Sequence, residues 1–364
     1  MKASRRTFIR NCTWAGAASL MAGPGQAKGE APGWRMPDES APHLRTWMVF
    51  GPQAKIWGKS LVPEVQRNLA RIANIISEFE PVSLLVRESE RMEAQKLVSE
   101  QVELVVAEMD DLWARDTAPL FVKNSAGKRA AVDFNFNGWG GKQQHAQDRK
   151  VARLIAKEAG VPVLETDLVL EGGCIEVDGE GTAIIAESCV INGNRNPGLT
   201  KQEFETRIQP LLGIDKVIWI PGIRGEDITD GHTDFYARFV GPGVLLAAYD
   251  PDPDSFDHDI TLEHLEILEQ ATDVAGKPLQ VSVLQHPGTT RTTFRTQDFA
   301  AGYIGYYVCN GAVLVQEFGD EQQDQKSQEI LQQVYPDRDI IALNVDGIAA
   351  GGGSIHCATQ QEPA

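Results

Sequence analysis

Cys357 stands almost at the C-terminus, directly behind the run Gly351-Gly352-Gly353-Ser354-Ile355-His356. No regular secondary structure calls for three glycines at that place. Glycine lets the backbone take positive φ and approach a ligand closely, so a thiol presented by such a loop is a candidate nucleophile. A free thiol titrates near ~8.5 and needs a base or a lowered pKa to act. Three upstream clusters could serve it: Trp113-Ala114-Arg115-Asp116, Glu171-Gly172-Gly173 and His232-Thr233-Asp234.

His232 is the best partner for the thiol. It follows Asp230-Gly231 and opens a strand expected over residues 233–240. Residues two apart in an extended chain face one side, so His232 and Asp234 are expected to share a pocket. His356, adjacent to Cys357, would point the opposite way and reads as structural. Two carboxylates facing a planar cation make bidentate, charge-assisted hydrogen bonds, and a guanidinium has the matching fork. Asp116 and Asp234 around a sulfur would therefore select a guanidinium and activate its central carbon, with Trp113 packed against the flat cation. Taken alone, Arg115-Asp116 also reads as a surface turn. Glu171 could support protonated His232, as carboxylates do beside catalytic histidines, although Glu-Gly-Gly by itself is more often a plain turn. A metal site from His232, Asp234, His356 and Cys357 fits no standard zinc spacing. Cys174, Cys189, Cys309 and Cys357 would allow two disulfides; a bridge to Cys357 would silence it, so that thiol is expected free.

Helical periodicity marks residues 63–80, with Val65, Leu69, Ile72, Ile76 and Phe79 on one face. Similar stretches cover 145–159, 200–212, 260–271 and 321–334, with a shorter one over 88–100. Strand-like runs lie between them at 82–86, 104–107, 120–122, 174–177, 182–186, 217–220, 235–240, 244–248, 281–284, 312–315 and 340–343. Asp178-Gly179-Glu180-Gly181 joins two of these as a hairpin. The last four long helices recur every roughly 55–60 residues, the mark of a repeated strand-helix unit.

The N-terminus reports location. Ser4-Arg5-Arg6-Thr7-Phe8-Ile9-Arg10 precedes a short apolar run and a small-residue cleavage site near Ala27, the pattern of a twin-arginine export signal over residues 1–27. The mature protein, residues 28–364, is expected to be a single catalytic domain, periplasmic or secreted, with no membrane span. Losing Lys2, Arg5, Arg6 and Arg10 takes the formal charge from −17 to −21. Such a surface argues against nucleic-acid binding and suits a small cationic substrate. Oligomeric state is not readable from the sequence.

Five motifs occur in the order found in agmatine deiminases: Trp34-Arg35-Met36-Pro37, Trp113-Ala114-Arg115-Asp116-Thr117, Glu171-Gly172-Gly173, Gly231-His232-Thr233-Asp234 and Gly351-Gly352-Gly353-Ser354-Ile355-His356-Cys357. The chain resembles that family and the bacterial peptidylarginine deiminases, within the guanidine-modifying pentein superfamily, over about residues 33–363. The resemblance implies a five-bladed α/β propeller with pseudo-fivefold strand-helix repeats, and no metal or organic cofactor. It implies Cys357 as nucleophile, His232 as general acid/base, Asp116 and Asp234 as the guanidinium-binding pair, and Glu171 as support for the histidine. Trp113, Gly352 and Gly353 would line the substrate. Ile228 departs from the glutamate that the family places four residues before the histidine to reach a distal amine; Glu226, Asp227 or Asp230 would have to replace it. Ser354 departs from the usual asparagine. Deimination of agmatine is the leading activity and of peptidyl-arginine the alternative. A non-catalytic periplasmic guanidinium binder is the reading of another class, and it would have no need of a nucleophile.

Overall fold

The chain's C-terminal strand pairs with its first long strand. Thr359–Pro363 runs antiparallel to His43–Phe50, which is followed in parallel by Val82–Val86 and Val102–Val106. The computed structural model describes residues 33–364, so the expected export signal at 1–27 lies outside the described residues. Gly33–Ala364 forms one compact unit.

Four further sheets repeat the same plan, an antiparallel pair and then a parallel third strand reached through a helix. Leu120–Asn124, Arg129–Asp133 and Val163–Glu165 form one, with Trp34–Arg35 on its edge. Ile175–Val177, Thr182–Ala186 and Lys216–Ile220 form the next. Ala237–Gly241, Val244–Tyr249 and Gln280–Gln285 follow, then Tyr307–Cys309, Ala312–Gln316 and Asp339–Leu343. The architecture is mixed α/β.

Local sequence explains the crossovers. Helix Val62–Ile76 buries Val65, Leu69, Ile72, Ala73 and Ile76, the stripe expected of period 3.6. Each such side chain is worth roughly 1.5–3 kcal/mol on burial. Helix Lys201–Leu212 starts in a Thr200/Glu203 capping box and stops at Gly213, φ 69°, where glycine takes the left-handed turn without strain. The expected helices are all present: 321–334 matches residue for residue, 63–80 stops at Ile76 and leaves Phe79 outside, and 145–159 shortens to Val151–Glu158. Of the expected strands, 82–86 and 182–186 match residue for residue. The run at 235–240 becomes a 3-10 turn, Thr233–Phe235, and a strand, Ala237–Gly241.

One feature recurs in front of the first strand of every sheet: a single helical turn. These are Ala114–Thr117, Gly172–Cys174, Thr233–Phe235, Tyr303–Gly305 and His356–Ala358. Because the second strand of each sheet is antiparallel to the first, its C-terminal end lies beside the turn. Four of the five turns carry the acids, histidine and thiol singled out by the sequence.

Candidate active site

Cys357 sits on the turn His356–Ala358 and is 9% exposed. Its Sγ is 3.9 Å from Asp234 Oδ2 and 3.2 Å from Ser354 Oγ. Asp234 comes from the turn Thr233–Phe235. Its Oδ2 also meets His356 Nδ1 at 2.6 Å, while its Oδ1 is buried without a partner. His232 precedes that turn in extended conformation, φ −66°, ψ 145°. Its Nδ1 is 3.7 Å from Asp116 Oδ1 and its Nε2 is 3.4 Å from Glu171 Oε2. Asp116 accepts the indole N–H of Trp139 at 2.9 Å and the Gly173 N–H at 3.2 Å. The five residues expected to carry chemistry thus converge, all buried. His232 and Asp234 meet there through a 3-10 turn rather than the strand expected of them.

Glycine is required where backbone backs onto these groups. A Cβ on Gly173 would collide with the His232 ring, and one on Gly353 with the indole of Trp113. Trp113 stacks on Trp57, ring centroids 5.7 Å apart, and Trp57 donates to Asp111 Oδ1 at 2.7 Å. Gly352 takes φ +85° beside the Asp298 carbonyl. Trp113, Gly352 and Gly353 therefore build one wall together.

Protonation follows from the surroundings. Burial would push the His232 ring down, but the Cys174 sulfur, Asp116 and Glu171 outweigh it and hold its pKa well above the ordinary value. Cys174 is itself driven far up by burial, so at neutral pH it is an uncharged thiol and the two carboxylates carry the effect. Burial would raise Glu171, but His232 and Arg195 bring it down to about 2. Burial, then Asp234 and Asp116, push the Cys357 thiol well up. Burial raises Asp116 against the pull of His232. Asp234 is lowered: burial opposes, and His356 prevails. The empty site is therefore thiol and imidazolium. A cation seated between Asp116 and Asp234 would cancel the two charges that hold the thiol protonated.

Several contributors carry no sequence signal. Arg195 grips Glu171 at 2.9 Å and Asp230 at 2.7 Å, wholly buried. Glu39 takes Arg115 at 2.9 Å, Arg238 at 2.8 Å and His356 Nε2 at 2.9 Å. Arg115 and Asp116 are thus buried, not a surface turn: Arg115 is tied to Glu39 and Gln361 by the pull of a buried carboxylate. His356 stands in a 3-10 turn rather than extended chain, and its Nδ1 braces Asp234 through the same Oδ2 that Cys357 Sγ approaches. Cys174, Cys189, Cys309 and Cys357 are all free. Ligand atoms of Glu171, Cys174 and His232 lie within 4.8 Å of one another, but the Arg195 guanidinium on Glu171 opposes a cation there. A surface cavity of about 540 Å³, lined by Gln53, Lys55, Arg87 and Glu90, contains neither the thiol nor His232.

The likeness to known proteins runs the length of the described chain. Residues 35–363 match the family described as Porphyromonas-type peptidyl-arginine deiminase. A putative agmatine deiminase of Streptomyces avermitilis is 37% identical over 342 residues, 92% of this chain and 98% of that protein. The chain belongs to the agmatine deiminase and peptidyl-arginine deiminase family. The Enterococcus faecalis agmatine deiminase structure superposes with TM-score 0.85 at 31% identity, covering 91% of this chain and 96% of that one. A substituted Campylobacter jejuni agmatine deiminase with substrate bound gives TM-score 0.81 at 25% identity, covering 90% and 96%.

Proposed function

We propose that this family member hydrolyses the guanidinium group of a small cation, with agmatine, giving N-carbamoylputrescine and ammonia, as the leading substrate. The carrying observation is the convergence of Cys357, Asp234, Asp116 and the His232–Glu171 pair in one buried site. The family names of its relatives support the same reading. We also propose that the five repeated sheets close into a propeller, with the buried Glu39, Arg115, Glu176, Arg238 and His356 network along its axis.

In this reading Asp116 and Asp234 take the guanidinium nitrogens, Asp234 through its open Oδ1. Their neutralisation lets Cys357 release its proton to solvent. The sulfur adds to the guanidinium carbon, one C–N bond breaks, and the departing nitrogen takes the His232 proton and leaves as ammonia. His232, now neutral, removes a proton from water. That water adds to the thiouronium carbon, the C–S bond breaks as the remaining hydroxyl proton passes to the released Cys357 sulfur, and the ureido product leaves. Glu171 and Arg195 hold the imidazole throughout.

Peptidyl-arginine is the second reading, and Ile228 favours it. Ile228 is 38% exposed and has no charge to offer a distal ammonium. Asp230 is committed to Arg195 and to Lys142 at 2.7 Å, and Asp227 Oδ1 caps its own loop through Thr229. Ammonia release on agmatine, free arginine and an arginyl peptide separates the readings. Agmatine should lead, and Cys357→Ala should abolish release while substrate still binds. Release by that variant above a few per cent of wild type would remove Cys357 as the nucleophile.

A further inference from the structure

Gln316 ends the strand Ala312–Gln316, so it lies at the same end of its sheet as the turn Tyr303–Gly305. It is 2% exposed, and neither its Oε1 nor its Nε2 has a hydrogen-bond partner. An amide buried with both ends unpaired is costly, and native proteins rarely keep one without use. Its surroundings show the use. A Cβ on Gly305 would collide with Ser354 and lie 3.6 Å from Gln316 Oε1. Ser354 therefore packs into the place a side chain at residue 305 would take, and Gln316 Oε1 borders the same place. Ser354 Oγ in turn is 3.2 Å from Cys357 Sγ and accepts the Cys357 N–H at 3.4 Å.

The hydrogen bond between Ser354 and Cys357 must reverse during the reaction. While Cys357 is a thiol, its S–H can donate to Ser354 Oγ. Once it is a thiolate it can only accept, and the Ser354 hydroxyl must donate to it. The hydroxyl oxygen then keeps only the long Cys357 N–H bond and can take a second donor. Both ends of the Gln316 amide are unengaged and its Oε1 borders the same glycine as Ser354; a half-turn of the amide brings its N–H to that side, and one bridging water closes the gap. We infer that Gln316 is a positioning residue that fixes the Ser354 hydroxyl toward the Cys357 sulfur and so favours the thiolate. The inference rests on Cys357 being the nucleophile. The carboxylates acting on that sulfur are Asp116 from the turn Ala114–Thr117 and Asp234 from the turn Thr233–Phe235; His232 precedes the latter turn, and His356 on the sulfur's own turn is bound to Asp234; none of them is altered by the test.

The test reads the thiol without substrate, so it is separate from the proposed activity. Alkylation of Cys357 by iodoacetamide is followed against pH, with Cys357→Ser protein as the blank for other thiols. Gln316→Met keeps the volume and removes the amide. It should raise the alkylation midpoint by roughly 0.5–1 pH unit, the worth of one hydrogen bond between neutral groups. Gln316→Asn, which withdraws the amide by one carbon, should move it the same way by less, and serves if the methionine variant folds poorly. Ser354→Ala should also raise the midpoint, and Gln316→Met added to it should then change nothing. An unmoved midpoint in both Gln316 variants overturns the inference. A shift that persists in the Ser354→Ala background overturns the route through Ser354.

Discussion

Glu171 is the residue on which the proton inventory turns. It carries no hydrogen of its own, yet through one oxygen it faces His232 Nε2 and through both it receives Arg195 Nε. Its negative charge favours the imidazolium, so the Glu171→Gln variant should have a His232 of lower pKa. In the proposed mechanism the imidazolium is the acid that releases ammonia, so activity is lost as pH rises through that pKa. The alkaline limb of kcat/KM should therefore move down in Glu171→Gln, by about one unit or more given that Asp116 remains. An alkaline limb that stays where it is in the wild type would mean that another group sets it. At this scale the sequence was informative about types and silent about bracing. Cys357, His232, Asp116, Asp234 and Glu171 stand in readable motifs. Glu39 and Arg195 do not, because a buried ion pair between distant segments leaves no local pattern. His356 shows the middle case: a structural role is expected of it, but its bond to Asp234 leaves no mark in the sequence.

Elements hold these residues through repeated geometry rather than through any one long helix or strand. The amphipathic crossover helices and the β-branched runs gave themselves away by period. The helical turns before each first strand did not, since three residues carry no period, and so the chain 233–240 read as strand throughout. The glycine loop was read for its freedom, but its use is also steric. Trp57 is tethered by Asp111, Trp113 stacks on Trp57, and Gly351 and Gly353 each lie where a methyl would strike one of those rings. The loop and the tryptophan pair are locked together. Gly353→Ala should displace Trp113 and lower kcat/KM on the order of tenfold to a hundredfold, the usual consequence of moving a reacting group by about an ångström. Adding Trp113→Phe, which makes room, should recover part of the thermal stability lost. Full activity in Gly353→Ala would show that the ring moves aside without consequence.

The whole molecule depends on contacts that periodicity cannot reveal. Thr359–Pro363 is polar in sequence yet wholly buried. It reads as tail until its partners are known: Gln361 takes Arg115, and Glu362 takes the indole N–H of Trp47 at 2.9 Å. Its pairing with His43–Phe50 closes the C-terminal strand onto the first long strand in one sheet. Burial of acids on this scale also makes stability depend on pH, and Asp148 isolates the effect. Its Oδ1 accepts the N–H groups of Asp110 and Asp111, at 2.7 and 3.3 Å, while its Oδ2 is buried and unpaired. Burial, with the neighbouring Asp111 and Asp110 carboxylates adding to it, pushes its pKa up to about 7. An aspartate in the unfolded chain titrates near ~3.9. Between those values the folded state keeps a proton that the unfolded chain has released, so this group makes stability fall as pH rises through the window. Asparagine keeps the acceptor and cannot ionise. Asp148→Asn should therefore melt higher than wild type at pH 8, by roughly 1–2 °C for each kcal/mol recovered in a chain of this length, and the two curves should meet by about pH 4. Glu171, held down near 2, works in the opposite sense: its contribution is present above ~4.3 and lost as pH falls, so both proteins should still lose stability in acid. A variant that melts lower than wild type at pH 8 would show that the folded protein favours the Asp148 carboxylate.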